Sequence, residues 1–156
     1  MLFIIAHDQE QGAHGLIINR PTGKTVADLL SSHDMGMLAT LPVFIGGPVA
    51  GDQLTFASFH SQKSGQIIEC RPHLGLEEAR ELAGEKSASV RAFIGYSGWS
   101  VNQLETELGQ KAWIVRDPDM DAFDISKTGE LWPSIMRSMG PWFRLLSAAP
   151  DDPSRN

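Results

Sequence analysis

The segment Gly95–Trp99 carries the residues of this sequence that are best suited to chemistry. It reads Gly-Tyr-Ser-Gly-Trp, follows the apolar run 90–94 and precedes a helical pattern that begins near Val101. This order predicts that Ser97 lies at a strand-to-helix turn, where many serine hydrolases hold their nucleophile. The hydrolase signature is Gly-x-Ser-x-Gly, and Trp99 occupies the place of its last glycine. A small-molecule hydrolase that uses Ser97 is therefore an alternative and not the leading interpretation.

The same turn also predicts a binding site that needs no nucleophile. Backbone N–H groups at the start of a helix attract anions and small polar ligands. A second glycine turn, Gly46–Pro48, and the polar loop from His7 to His14 would complete such a pocket. The glycine turn is not a phosphate-binding P-loop, because Asp52 and Gln53 stand where a lysine and a serine or threonine are required. The predicted ligand-binding residues are His7, His14, Gly46, Gly47, Pro48, Gly95, Tyr96, Ser97, Gly98 and Trp99.

No combination of residues predicts a metal or cofactor site. The run 117–121 has aspartates at the spacing that opens a calcium-binding loop, but Ala122 replaces the required glycine and Thr128 the final glutamate. The five histidines form neither His-Glu-x-x-His nor His-x-His. His7 and His14, at the two ends of one loop, would supply only two ligands.

The composition is that of an ordinary globular protein with an acidic balance. Of 156 residues, 42% are hydrophobic and 21% are charged, and the net charge is −6. Basic residues are scattered, as Arg71, Arg80 and Arg91 illustrate, and no element clusters them. We therefore expect no direct binding to nucleic acid, which requires a local surplus of lysine and arginine.

The cysteine content and the apolar runs predict a cytoplasmic location. The lone cysteine, Cys70, excludes an internal disulfide and is typical of a reducing compartment. The apolar run 2–6 is too short for a signal peptide, and no run is long enough to span a bilayer. No linker divides the chain, so we expect one domain over residues 1–148 and a flexible tail over residues 149–156.

Short apolar runs bounded by turn residues predict seven strands, most of them apolar on both faces. A polar loop between the first two runs predicts a hairpin, and Gly51–Gln53 predicts a second hairpin between residues 43–49 and 54–59. The predicted strands are Leu2–Ala6, Leu16–Asn19, Val43–Ile45, Leu54–Phe59, Ile67–Cys70, Val90–Ile94 and Ala112–Val115.

Helical spacing of apolar residues predicts about four helices, over residues 26–30, 76–85, 101–108 and 132–139. Because hairpins dominate and helices are interspersed, the pattern predicts a single-domain α+β fold with a mixed or mostly antiparallel sheet. The stripe of Trp132, Ile135, Met136 and Met139 on the last helix is interpreted as core, or as a face for a partner.

The motifs taken together resemble a known family. Residues 7–21, His-Asp-Gln-Glu-Gln-Gly-Ala-His-Gly-Leu-Ile-Ile-Asn-Arg-Pro, resemble the opening signature of the bacterial YqgE/AlgH family. The resemblance covers nearly the whole chain. Its other matches are residues 26–30, 43–49, 60, 95–108, 113, 123–124 and the helix of Trp132.

The resemblance implies an irregular α+β fold with a strongly curved, barrel-like sheet. It also implies a bacterial protein of regulatory type, a transcriptional regulator linked to exopolysaccharide production, with no assigned catalytic residues. Family members carry about twenty further residues before the first strand. The resemblance therefore implies that this chain lacks a segment that would cover a sheet edge or part of a pocket.

We thus predict a non-enzymatic cytoplasmic protein that binds a partner protein or a small molecule and acts in regulation. Its site would be formed by the turns at 46–48 and 95–99 and by the loop 7–14. The alternatives are the Ser97 hydrolase and an oligomeric scaffold whose subunits meet through the face of residues 132–139. The prediction includes no cofactor and no membrane partner.

Overall fold

One long strand, Ala88–Trp99, runs through the middle of the fold and pairs with three others. The computed structural model describes residues 1–31, 35–61, 67–117, 120–141 and 143. The strands of these residues are β1 (Leu2–Asp8), β2 (Gly12–Ile17), β3 (Pro21–Thr25), β4 (Pro42–Ile45), β5 (Val49–Ser61), β6 (Ile68–Leu74) and β7 (Ala88–Trp99). The helices are α1 (Leu76–Ala83), α2 (Gln103–Gly109) and α3 (Thr128–Ser138). Four 3-10 turns are Val26–Asp28, Gly36–Thr40, Met120–Phe123 and Ile125–Lys127.

The predicted β1–β2 hairpin is confirmed, and its turn is tight. The Asp8 carboxylate accepts hydrogen bonds from the backbone N–H groups of Glu10 and Gln11, at 2.7 and 3.0 Å. This local bonding reverses the chain without a long loop. His7 and His14 therefore lie within the two strands and not in the loop between them.

The second predicted hairpin is wrong, because β7 separates β4 from β5. β4 pairs with β7 in parallel and β5 pairs with it antiparallel, and both ladders include residues 92–94 of β7. The chain between β4 and β5 therefore passes over β7 from one side to the other. Gly51–Gln53, the predicted hairpin turn, lie inside β5, where the ladder is irregular between Val49 and Leu54.

Two glycines make this crossing possible. A Cβ atom on Gly46 would lie 2.2 Å from the carbonyl oxygen of Gly95, and a Cβ atom on Gly47 would lie 2.2 Å from the carbonyl carbon of Tyr96. Both distances are far shorter than any contact between unbonded atoms, so only glycine fits. Gly95 also has a φ angle of +67°, a left-handed conformation that side chains disfavour.

Apolar side chains cover both faces of the sheet, as the two-sided apolar runs predict. On one face, α1 and the first two 3-10 turns pack over Val43 and Ala92. On the opposite face, the third 3-10 turn and α3 pack over Phe59 and Phe93. A third, smaller cluster joins Trp99 to α2. The central strand is thus buried on both sides.

Arg91 is a charged side chain fully buried within the second of these cores. Its guanidinium donates hydrogen bonds to the carbonyls of Ile18, at 2.7 Å, and Ala122, at 3.4 Å, and lies 4.8 Å from the ring centre of Phe44. Burial lowers the pKa of Arg91 to about 10, against an opposing effect of Asp124, so the group stays charged at neutral pH. Arg91, one of the scattered basic residues of the sequence, joins the end of β2 and the third 3-10 turn to β7.

Three α-helices have bounds within the described residues, so the expected number of about four is not confirmed. The predicted helix over 26–30 is a single 3-10 turn, in which the N–H groups of Leu29 and Leu30 both donate to the carbonyl of Val26. The predicted strand Ala112–Val115 is also wrong, because this segment pairs with no strand of the described chain. Strand-forming residue types do not make a strand without a neighbour.

The sheet is not closed, so the barrel-like expectation is not confirmed. Within the described residues, β1, β3 and β6 each pair with one strand only and leave an open edge. The α+β class, the mixed sheet and the single domain are confirmed. The predicted tail at 149–156 lies outside the described residues. None of the described helices is both long and apolar enough to cross a bilayer.

Replacing a crossing glycine should destabilise the protein far more than replacing a sheet glycine that has open space around it. We expect Gly47→Ala to lower the free energy of unfolding in urea by at least about 3 kcal/mol, because its Cβ meets backbone that cannot move aside. The control, Gly51→Ala in β5, has open space around its Cβ and should change stability by less than about 1 kcal/mol. Equal losses in the two variants would contradict the crossing.

The thiol of Cys70 should react slowly in the folded protein. Cys70 is half-buried in β6 against the second core, and this burial raises its pKa to about 12. At pH 8 only about one thiol in 10,000 would be ionised, and the thiolate is the reactive form. We expect a soluble aromatic disulfide reagent to react at least about 100-fold more slowly with native protein than with protein in urea. Similar rates in both states would show that the thiol is not buried.

Candidate functional site

The residues 95–99 lie inside β7, so the predicted strand-to-helix turn is wrong. β7 continues through Trp99, and a short loop precedes α2. Ser97 pairs with Gly15 of β2 and is 7% exposed, and its hydroxyl donates a hydrogen bond of 3.3 Å to the carbonyl of Gly46. Ser97 thus stabilises the crossing and does not present the exposed hydroxyl of a nucleophile elbow.

The two predicted glycine turns do come together, but they contact each other directly. Gly46 and Gly47 lie against the backbone of β7 at Gly95–Ser97, with Pro48 exposed at the end of the crossing. A contact between two backbones leaves no space for a ligand between them. The glycines at 46, 47 and 95 are therefore explained by close approach of the chain.

The sheet distributes the remaining predicted residues over two opposite faces. His7 of β1 pairs with Ala13 of β2, and Ala13 pairs with Trp99 of β7. His14 of β2 pairs with Gly98 of β7. Neighbouring residues of a strand point to opposite faces, so His7 and His14 cannot belong to one site. We call the side that carries Trp99 the α2 face and the side that carries Gly98 the open face.

The α2 face holds a closed hydrogen-bond network around Glu107. One oxygen of its carboxylate accepts hydrogen bonds from the indole N–H groups of Trp113, at 2.6 Å, and Trp99, at 3.0 Å. The other oxygen accepts a bond of 3.1 Å from the side-chain amide of Gln103. These bonds, that of Trp113 foremost, lower the pKa of Glu107 below its ordinary value. Trp99 is buried beneath α2, so this part of the predicted site is packed and not open.

His7 connects β1 to α2 on the same face. Its Nε2 atom hydrogen-bonds to the carboxylate of Glu105, and both side chains are nearly half exposed. The hydrogen bond with His7 is the main reason why the pKa of Glu105 is lowered. An exposed pair of this kind contributes little to stability, so His7 acts here as a surface contact between two elements.

The open face carries a recess that we call the Gly98 notch, formed by His14, Val49 and Tyr96 around Gly98. A Cβ atom on Gly98 would lie 3.5 Å from Tyr96, 3.7 Å from His14 and 3.8 Å from Val49, which are ordinary contact distances. The rings of His14 and Tyr96 meet edge to face, with centres 5.3 Å apart. Gly98, His14 and Val49 are exposed. At this exposed position a methyl group would therefore make ordinary contacts with two rings and one aliphatic side chain.

Sequence reasoning missed Val49 and Glu107, and also a serine–histidine pair on β5. The Ser58 hydroxyl and Nε2 of His60 lie 3.1 Å apart, as alternate residues of a strand can. The pair has the chemistry of a nucleophile and its base, but Ser58 is fully buried and inaccessible to a substrate. In the described part of the chain, no group of three or more histidine, cysteine, aspartate or glutamate side chains could hold a metal ion.

Comparison with known proteins identifies the family. The AlgH-like family model matches residues 1–144 of this chain. The chain belongs to the AlgH-like family. This AlgH-like chain is 34% identical to a UPF0301 protein of Streptomyces coelicolor, over 100% of this chain and 85% of that protein. It is 30% identical to a UPF0301 protein of Mycobacterium leprae, over 100% of this chain and 81% of that protein. The resemblance predicted from the motifs is confirmed.

Two solved structures share the AlgH-like fold described above. The solution structure of the AlgH protein from Pseudomonas aeruginosa has a TM-score of 0.66, covers 97% of this chain and 84% of that chain, and is 24% identical. A crystal structure of a Corynebacterium diphtheriae protein has a TM-score of 0.65, with coverages of 92% and 79% and 18% identity. At these identities the likeness shows the fold alone, so function has to be argued from the residues of this chain.

Acid should release the two tryptophans of the α2 face. A carboxylate whose pKa is lowered in the folded state stabilises that state above its ordinary pKa, here 4.5, and loses the effect as pH falls through the lowered value. We therefore expect the tryptophan fluorescence of the native protein to change below pH 4.5. Glu107→Gln should lack this change, whereas the control Glu105→Gln should keep it. Identical titrations in both variants would contradict the role of Glu107.

Proposed function

We propose that this AlgH-like protein is a non-catalytic binding protein whose ligand lies in the Gly98 notch. The observation that carries the proposal is the exposed backbone of Gly98 between the rings of His14 and Tyr96. A strand position without a side chain lets a ligand approach the backbone closely. The two rings are already held against each other, so binding would cost little ordering of side chains.

The walls of the notch favour a flat ligand group. The rings of His14 and Tyr96 and the methyl groups of Val49 offer dispersion contacts. The imidazole nitrogens and the phenol hydroxyl add a few donors and acceptors at the edges. Aromatic faces also attract cations, and the chain carries a net charge of −6. The proposed ligand is therefore a planar heteroaromatic group that is neutral or positively charged.

Neither an anion site nor a hydrolase has comparable support. The anion site depended on free N–H groups at a helix start, whereas residues 97–99 are paired with β2. The hydrolase depended on an accessible Ser97, whose hydroxyl is buried and donates to the carbonyl of Gly46. In a binding protein of this kind, a regulatory role would follow from occupancy of the notch, through a small molecule or a partner protein. The cytoplasmic location stays a prediction from the sequence.

Gly98→Ala is the substitution that tests this function. The new methyl group should fill the notch without strain, because its contacts of 3.5–3.8 Å are ordinary and Gly98 needs no left-handed conformation. We would screen planar heteroaromatic compounds by thermal shift. At saturation a ligand of the native state should raise the melting temperature of the unmodified protein by a few degrees, about 2–6 °C. Gly98→Ala should lose this shift.

The matched control is Gly51→Ala, which adds the same methyl group to β5 in open space and should keep the shift. Trp99→Ala would be a poor test, because Trp99 is buried beneath α2 on the opposite face. A compound that stabilises Gly98→Ala as strongly as the unmodified protein binds elsewhere and contradicts the proposal. A screen without any stabilising compound also contradicts it.

A further inference from the structure

His14 places a ring that can gain a positive charge beside the Gly98 notch. A Cβ atom on Gly98 would lie 3.7 Å from a carbon of the His14 ring, and His14 is exposed. Histidine is the side chain that ordinarily changes its charge between about pH 5 and pH 8. A ligand atom in the notch would therefore contact a group whose charge depends on pH, whereas the aliphatic wall, Val49, carries no charge.

The strands beside His14 bring one carboxylate to the same side of the sheet. His14 pairs with Ala6 of β1 and with Gly98 of β7, and its ring meets that of Tyr96. Asp8 lies two residues beyond Ala6 on β1, so the register places it on the open face as well. The titratable groups that face His14 are thus the phenol of Tyr96 and the carboxylate of Asp8. A carboxylate ordinarily keeps its negative charge above about pH 5 and attracts cations.

We propose that the ligand of the Gly98 notch is a planar cation and that a proton on His14 displaces it. The inference rests on the proposed function, because it takes the notch to be the binding site. The uncharged form of His14 lines the notch, and Asp8 draws a cation to this side of the sheet. The charged form of His14 would meet the ligand with a like charge. Binding of the ligand and binding of the proton therefore oppose each other, and mild acid releases the ligand.

The size of the effect follows from the separation of the two charges. Two unit charges about 4 Å apart repel each other enough, even in water, to weaken binding about fivefold. Salt at about 0.1 M screens charges over about 10 Å, so it weakens the repulsion of a contacting pair only slightly. An uncharged ligand of the same shape meets no such repulsion. The pH dependence of binding therefore distinguishes a cation from a neutral ligand, which the walls of the notch alone do not.

Two planar probes compared at two pH values test the inference. N-methylquinolinium carries a permanent positive charge, and quinoxaline is an uncharged ring system of similar size. Their dissociation constants would be measured by two-dimensional NMR, from the shift of the Cα–H signals of Gly98 at about pH 8 and about pH 5.5. We expect N-methylquinolinium to bind at least about fivefold more weakly at the lower pH. Quinoxaline should change by less than about twofold, because it carries no charge.

Substitutions of histidine assign the pH dependence to one residue. His14→Phe keeps a ring beside Gly98 but cannot gain a charge, so the ratio of the two dissociation constants of N-methylquinolinium should fall below about twofold. His14→Gln should lower the ratio in the same way. The matched control is His7→Gln, which removes the histidine of the opposite face and should keep the full ratio. Circular dichroism would confirm that each variant is folded.

The unmodified protein supplies a second readout, because linkage is reciprocal. Saturation with N-methylquinolinium should move the pH midpoint at which the ring signals of His14 change to a lower pH. Equal dissociation constants at both pH values, or a midpoint that does not move, would overturn the inference and leave the notch as a binding site. A pH dependence that persists in His14→Phe would overturn it as well. If neither probe shifts the Gly98 signals at either pH, the proposed function fails, and this inference fails with it.

Discussion

Two stretches of backbone touch where Gly46 and Gly47 cross β7, and the sheet depends on that contact. The crossing places β4 and β5 on opposite sides of one strand and buries residues 92–94 between them. It also joins β2 to β7. The N–H of Gly46 donates a hydrogen bond to the carbonyl of Ile94, and the carbonyl of Gly46 accepts one from the N–H of Ile17, both at 2.8 Å. A side chain at either glycine would push the strands apart and remove these bonds together.

The buried guanidinium of Arg91 is the second constraint. A charge in an apolar core is costly unless other groups replace its water. Here two backbone carbonyls and the ring of Phe44, from parts of the chain that are far apart in sequence, replace part of it. The Nε atom of Arg91 is buried without a hydrogen-bond partner among the described residues. One side chain of β7 therefore joins the end of β2 to the turn that precedes α3. The C-terminal part of the described chain is held to the sheet partly through this residue.

Local patterns predicted the elements well and their neighbours poorly. The β1–β2 hairpin and the three α-helices follow from turn residues and from apolar spacing, which act over a few residues. The sequence around Gly51 looks the same whether β4 and β5 pair with each other or with β7, so the second hairpin was predicted wrongly. Likewise, a glycine at position 47 indicates a place where a side chain would not fit, but it is equally consistent with a turn and with a close contact to a distant strand.

The candidate site shows the same limit. Tyr96, Gly98 and His14 were predicted together, because each lies in a recognisable motif. The face on which each side chain lies depends on strand register. In the register of β1, β2 and β7, His7 and Trp99 lie on the face opposite to that of His14 and Gly98. Val49 lies at the notch because it pairs with Tyr96 across the crossing.

The order of the strands has one more consequence, for folding during synthesis. β1 with β2, β3 with β4, and β5 with β6 are antiparallel pairs of successive strands, and β7 follows all of them in the chain. Until residue 99 has left the ribosome, the three strand pairs cannot join through β7. Their apolar faces and open edges stay exposed to aggregation during that time, unless a chaperone binds them.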